Sequence, residues 1–475
     1  MRRSRLLPTA SLAAVILLLL VACSGAVGAP GGGHSKKYVI NVMFSNYDFP
    51  GIVETLTKRA REFEKKHPEY KLNVEFPYYQ RLPEDVEKAA LNGEAPTIAS
   101  YNTSATQFAW DTMDANGKPV FTPIGKAIAG RTQILGEKVV VDDLVPAGRN
   151  YYSVAGELAA MPLSLSTLHL FANMTMLKAA GVQSVPRTWD EITAACDALA
   201  KVATSPEHCI AFANEGKLFQ QALAQAGVPL TDNDNGRSGR ATTVDLNSPE
   251  LVGFATWWQR LYQSGYFLYT NKMEDWGGTF DAFAKQQVAF GVTSSFAINW
   301  KVDAAKQGNF ELGVGPTPSS RAPYSGAWLG GEGMYLAAGL DKKTQDGALA
   351  FMNYLNSPKN GAEWHTAYGS SPVTGGVYKE LQRQGYYKDH PDHLVTVEQL
   401  NAAPTTSGGS SALVGAFAGI QSSLMRAIDD IMEKGADPLA RLTRADDISQ
   451  ELLTDYNDHC LVVGLRPTTC YTVDS

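Results

Sequence analysis

Apolar and polar positions follow two rhythms along this chain, one of period two and one of period three to four, separated by turn residues. Tyr38 to Phe44 is a continuous β-type run, suited to a strand covered on both faces. Ile52, Leu56, Ala60 and Phe63 then recur at helical spacing until His67-Pro68 stops the helix. Leu72, Val74 and Phe76 alternate as a second strand. A polar helix is predicted over Pro83 to Leu91 and a third short strand over Thr97 to Tyr101. This βαβαβ opening predicts a parallel α/β sheet, whose ligands sit beyond the carboxyl ends of the strands. The loops at those ends are Ser45-Asn46-Tyr47-Asp48, Tyr78-Tyr79-Gln80 and Asn102-Thr103-Ser104.

The middle of the chain is more helical. Thr188-Trp189-Asp190-Glu191 is a capping-box pattern, and Ser248-Pro249-Glu250 reads as a cap followed by proline in the first turn. The helix after it carries Leu251, Phe254, Trp258 and Leu261 on one face, a core stripe, and ends at Gly265. Thr231 to Thr243 is polar and turn-rich and reads as a surface loop. Ser357-Pro358 opens a helix containing Ala362, Trp364 and His365, and Ile420, Leu424, Ile428 and Ile431 mark another amphipathic helix. No internal repeat is present.

The N-terminus alters the picture. Arg2, Arg3 and Arg5 precede an apolar run from Leu12 to Ala22 that is too short to span a bilayer and reads as a secretory leader, residues 1–22. It ends in Leu20-Val21-Ala22-Cys23, which resembles the bacterial lipobox. The resemblance implies cleavage before Cys23 and acylation of its thiol, a palmitate-type anchor. Residues 23–36 are rich in Gly and fit a flexible tether. The remaining part is then extracytoplasmic and anchored to the cell membrane. It has about 440 residues, enough for two lobes. Without the three leader arginines, 38 basic residues face 48 acidic ones, and no basic cluster suits a nucleic-acid partner. Four further cysteines remain, and local closure favours Cys196–Cys209 and Cys460–Cys470 among three possible connectivities.

A longer resemblance rests on an ordered set of segments: MPLSLSTLHLFANMTMLKAAGV at Met161 to Val182, PRTWDEI at Pro186 to Ile192, GGEGMYLAAG at Gly330 to Gly339, SPKNGAEWHTAYGSSPVT at Ser357 to Thr374, and QGYYKDHP at Gln384 to Pro391. The set resembles the sugar-binding (family 1) extracellular solute-binding proteins of ABC importers, and within them the glycerol-3-phosphate-binding branch. The resemblance implies an α/β fold of two lobes, the type II-like periplasmic-binding-protein architecture, with crossover hinge segments and a ligand cleft between the lobes. Lobe one is expected over 37–160 and 329–372, lobe two over 161–328 and 373–456, with 457–475 a C-terminal extension carrying a disulfide.

The expected ligand-binding residues come from both lines of reasoning. Asn46, Tyr47 and Asp48 lie in the first strand-end loop. Ser164 and Ser166 share one face of a predicted strand whose other face carries Leu163 and Leu165. By resemblance, this serine region lines the cleft. Asn102 stands where the branch has an acidic ligand contact, Tyr79 matches a branch tyrosine, and Ser294-Ser295 corresponds to a ligand-contacting turn. In Trp328-Leu329-Gly330-Gly331-Glu332, the glycines allow close backbone approach, Trp328 offers a stacking face, and Glu332 is suited to sugar hydroxyls or an amine. Trp276 offers a second ring, and Ser370 replaces a cleft tyrosine of the branch. The branch's phosphate-clamping arginine has no counterpart in Ser407 to Gly419, and its tryptophans near Ala213 to Phe219 are missing.

These observations predict a lipid-anchored solute-binding component of an ABC importer that takes a saccharide or related polyol, an amino sugar included, by hinge closure. Glycerophosphodiester or glycerol-3-phosphate binding in the same fold is the alternative. An exported carbohydrate hydrolase is the rival from another class, but no GxSxG, HExxH or Cys/His nucleophile pattern supports an enzyme. Permease subunits and their ATPase are the expected partners, the protein itself a monomer, with no cofactor, metal or nucleic acid.

Overall fold

A computed structural model describes residues 37–475 apart from Asp48, Ala155, Tyr324 and the stretches 403–406, 462–469 and 471–475. The leader, Cys23 and the tether lie outside the described residues, as does Asp48 of the first candidate loop.

Two sheets organise the described chain. The first contains the predicted opening: strand Tyr38–Met43 runs parallel to Tyr70–Glu75 and to Ile98–Asn102. Helix Ile52–Lys66 connects the first two and buries Ile52, Leu56, Ala60 and Phe63, the residues its periodicity singled out. Strand Gly330–Ala337 returns antiparallel beside Ile98–Asn102, and Phe121–Thr122 and Met161–Ser166 pair with it. The second sheet has the order 210–212, 290–294, 168–173, 312–316, with Leu168–Asn173 antiparallel to both of its neighbours. Each sheet has its own core. Ile40, Phe63, Leu72 and Phe351 pack on the first, and Leu170, Phe212, Trp258 and Ile428 on the second.

Strand Met161–Ser166 departs from the expected boundary after Ala160. It belongs to the first sheet, and the chain enters the second only at Leu168. All six of its residues are buried, so alternation told which residues share a face but not which sheet they join. Gly331 permits the pairing: its φ is +110°, and a Cβ there would stand 2.2 Å from the Ser164 carbonyl oxygen. Later crossings run beside this one. The Ser371 N–H donates to the Leu165 carbonyl at 2.7 Å, and the Ser411 hydroxyl bridges the Leu329 N–H and carbonyl.

Local signals hold unevenly. The capping box at Thr188 and Glu191 is formed, and both expected disulfides are present. Helix Phe417–Glu433 buries Ile420, Leu424, Ile428 and Ile431. Ser248, by contrast, does not cap helix Pro249–Gln263 with its side chain; its hydroxyl is buried without a partner. Thr231 to Thr243 is more than a surface loop, because Asn235 is buried and Arg240 reaches back to Asp111 with two hydrogen bonds, at 2.8 and 2.5 Å.

Candidate functional site

The carboxyl ends of the parallel strands in both sheets face one cavity of about 420 Å³. On the first-sheet side its floor is Glu332, which in the strand register lies between Asn102 and Ser164. The Ser100 hydroxyl donates to Glu332 Oε2 at 3.2 Å, and the Ser45 N–H holds that hydroxyl at 2.9 Å. Glu332 Oε1 is buried without a hydrogen-bond partner. Burial pushes the carboxyl up to about 7, and the neighbouring hydroxyls of Tyr47, Ser45 and Ser100 offset this only in part. The Tyr47 phenol is itself driven far above its ordinary range, by burial first and by Glu332 second. Its ring stacks on Tyr79 with centroids 4.7 Å apart and on Phe49 at 6.0 Å. Asn102 uses its side-chain oxygen to cap the turn Thr103–Ala105, accepting from the Ala105 N–H at 3.1 Å, which leaves its NH2 as the group it offers the cavity.

The second-sheet wall is aromatic, and its charges neutralise one another. The Trp276 ring N–H donates to Glu215 at 2.8 Å, and Lys217 pairs with the same carboxylate at 3.2 Å. The Lys217 ammonium stands 4.6 Å over the Trp276 ring and 5.9 Å over Trp328. Helix Trp276–Ala284 is fixed by its cap, Asp275, which accepts from the Gly278 N–H. Helix Ile298–Gly308 presents Trp300, with Phe296 just before it, and Phe280 meets Trp300 edge-on. Behind them Lys301 is buried against Phe280 and Phe283 at 4.5 and 4.3 Å, and burial lowers it to about 7. Contacts join the walls across the cavity: Phe49 meets Trp300 edge-on at 5.1 Å and Phe296 at 6.1 Å, and the Gln80 amide donates to Glu274 at 3.4 Å.

Of the residues expected at the site, the cavity brings together Tyr47, Tyr79, Asn102, Ser164, Ser166, Trp276, Ser294, Trp328, Gly331 and Glu332. Asn46 instead pins the loop, bonding through its backbone to Pro77 and Tyr79. Gly330 lies beneath the Trp328 ring. Ser295 is wholly buried at the crossover, its N–H on the Thr167 carbonyl. Ser370 is also structural: its hydroxyl receives the Leu165 N–H at 3.2 Å. Trp328 is a core residue with one edge on the cavity, since its side chain is 4% exposed. Sequence reasoning missed Phe49, Phe280, Phe296, Trp300, Lys217 and Asp281. Phe296 and Trp300 did carry a signal, since they follow the Ser294-Ser295 turn at a four-residue spacing that puts both on one side of a helix.

Residues 58–393 match the family model for bacterial extracellular solute-binding proteins. The chain is 28% identical over 360 residues to the sn-glycerol-3-phosphate-binding periplasmic protein UgpB of Escherichia coli K12, covering 73% of this chain and 77% of that protein. Its fold is similar to UgpB of Mycobacterium tuberculosis, solved in complex with glycerophosphocholine, at a TM-score of 0.68 and 18% identity over 89% of this chain and 100% of that one. It is also similar to the cyclic alpha-maltosyl-1,6-maltose binding protein of Arthrobacter globiformis, at a TM-score of 0.69 and 19% identity over 88% and 100% of the two chains.

Proposed function

This chain belongs to the bacterial extracellular solute-binding proteins, and from that membership we propose that it is the capture subunit of an ABC importer for a saccharide or related polyol. Its place is outside the cytoplasm, and Cys23 is the proposed point of lipid anchorage. The observation that carries the solute class is the cavity itself. About 420 Å³ suits a solute of roughly disaccharide size, and its walls pair flat rings with serine hydroxyls, an amide and a carboxyl. Rings cover the C–H patches of a sugar, while the polar groups take its hydroxyls.

A glycerophosphodiester or glycerol-3-phosphate is the second reading, favoured by the names of the relatives. Against it stands the charge of the cavity. Among the described lining residues only Lys217 is basic, and it is already paired with Glu215. A phosphate would meet the buried Glu332 carboxyl with no guanidinium to clamp it.

The solute bridges the two walls and favours the closed arrangement over the open one, a hinge closure. The loaded protein then docks on permease subunits whose ATPase drives transport, and the solute leaves chemically unaltered. Calorimetry against a panel of saccharides, polyols and glycerophosphodiesters tests this. One micromolar binder recovered intact is expected, and formation of a product, or no binder at all, overturns it. Trp300→Ala should weaken that binder by about 1 kcal/mol, since its ring faces the cavity without belonging to the core.

A further inference from the structure

One acid of the cavity is left without a cation, which a neutral sugar does not need. Glu215 is paired with Lys217 and Asp281 with Lys285, while no basic side chain among the described residues pairs with Glu332. Glu332 goes further. The residue is 6% exposed, the Ser100 hydroxyl bonds Oε2, and Oε1 has no partner at hydrogen-bond geometry although the Tyr47 and Ser45 hydroxyls stand beside the carboxyl. A buried carboxyl left half unsatisfied is unfavourable, and such a group in a native fold calls for an explanation. Its position on the floor of a ligand-sized cavity supplies one.

We infer that the solute carries a cationic nitrogen, that Glu332 is its counter-ion, and that the stacked Tyr47 and Tyr79 rings form the aromatic face beside it. The inference rests on the solute-binding reading above. An ammonium N–H finds its acceptor in Oε1, and a quaternary nitrogen finds the same negative charge with ring faces around it. The protein already places its own ammonium groups in this way around the cavity: Lys217 lies over Trp276, and Lys301 over Phe280 and Phe283.

Capture of a cation favours the carboxylate form of Glu332 and so expels the proton that burial holds there near neutral pH. The groups facing it are the Ser45 and Tyr47 hydroxyls from the first loop, Ser100 and Asn102 from one neighbouring strand, Ser164 from the other, and the buried Tyr152 phenol. Burial holds Tyr152 far above its ordinary range, as it does Tyr47. Glu332 is therefore the group that titrates between pH 6 and 8 in this set.

The test is calorimetry with two matched pairs: a glucosamine disaccharide against cellobiose, and choline against its uncharged carbon analogue 3,3-dimethyl-1-butanol. The first pair places the nitrogen on a sugar, the second on a quaternary headgroup. In at least one pair the cationic member should bind tenfold or more tightly than its neutral partner, with proton release that scales with the ionisation enthalpy of the buffer. The choline charge does not titrate, so any affinity for choline should fall about tenfold between pH 8 and pH 6. Glu332→Gln should collapse the preference below threefold and remove the proton release; the wild-type proton count stands as the test if that variant does not fold. Binding of a neutral member with no tighter binding of the cationic member in either pair overturns this inference and leaves the solute-binding reading intact. Failure of every solute in both pairs and in the saccharide and polyol panel to bind overturns both.

Discussion

Two buried acids, Glu332 and Asp111, sit in the same protein and are treated in opposite ways. Asp111 is 3% exposed, and its carboxylate is fully engaged: Arg240 forks onto both oxygens, Tyr456 donates at 3.0 Å and Gln107 at 3.0 Å. Its partners come from a loop on the second-sheet side and from helix Pro438–His459, so it joins distant parts of the chain. Glu332 is nearly as buried but has no cation: the Ser100 hydroxyl bonds Oε2, the Tyr47 and Ser45 hydroxyls stand beside the carboxyl, and Oε1 has no partner at hydrogen-bond geometry. Saturation makes a carboxylate into a joint, and leaving it unsaturated reserves it for something that arrives.

The sharpest way to break this contrast is to unpair the joint. Arg240→Ala leaves Asp111 buried with its cation gone and should lower stability by about 2–3 kcal/mol. Arg240 is a third exposed, which holds this below the full value for a wholly buried pair. Urea denaturation reads it, and a loss under about 0.5 kcal/mol would mean that Asp111 is no joint.

The second prediction concerns the pH dependence of Glu332. Its folded value of about 7 lies above its ordinary 4.5, so the folded protein holds that proton more tightly than the unfolded chain. The stabilising contribution is full below pH 4.5 and is lost as pH rises through 7, on the order of 2–3 kcal/mol over that window. Three buried histidines pull the other way. Burial holds His169 and His365 down near 4 and His393 near 3, so they withdraw stability as pH falls below 6.5. The difference in melting profile between wild type and Glu332→Gln cancels the histidines and isolates the carboxyl. Parallel profiles from pH 5 to pH 8 would show that Glu332 is not held protonated. The smallest effect belongs to Tyr456→Phe, which removes one of several hydrogen bonds to Asp111 and should cost about 1 kcal/mol by the same denaturation assay.

What was legible in the sequence was local. The helix carrying Leu56 and Phe63, the capping box at Thr188 and the two disulfides each depend on residues within a few turns of chain. The strand-end rule also pointed to the loops of Tyr47, Tyr79 and Asn102, because topology alone places loops beyond carboxyl ends. What was not legible was non-local. The state of Glu332 depends on Ser100, 232 positions away, and the aromatic wall joins Phe49 to Trp300 from opposite walls of the cavity. Strand Met161–Ser166 is buried on both faces, so no periodicity could assign it to a sheet. Trp328 read as a stacking face, whereas the fold packs it into the core of the second sheet and leaves one edge on the cavity.

Closure of the two walls on a solute is the central claim, and small-angle scattering of the purified protein with and without its calorimetric binder tests it most directly. The account predicts a smaller radius of gyration when the solute is bound, with the solute recovered unaltered. An unchanged radius at saturating solute would contradict it.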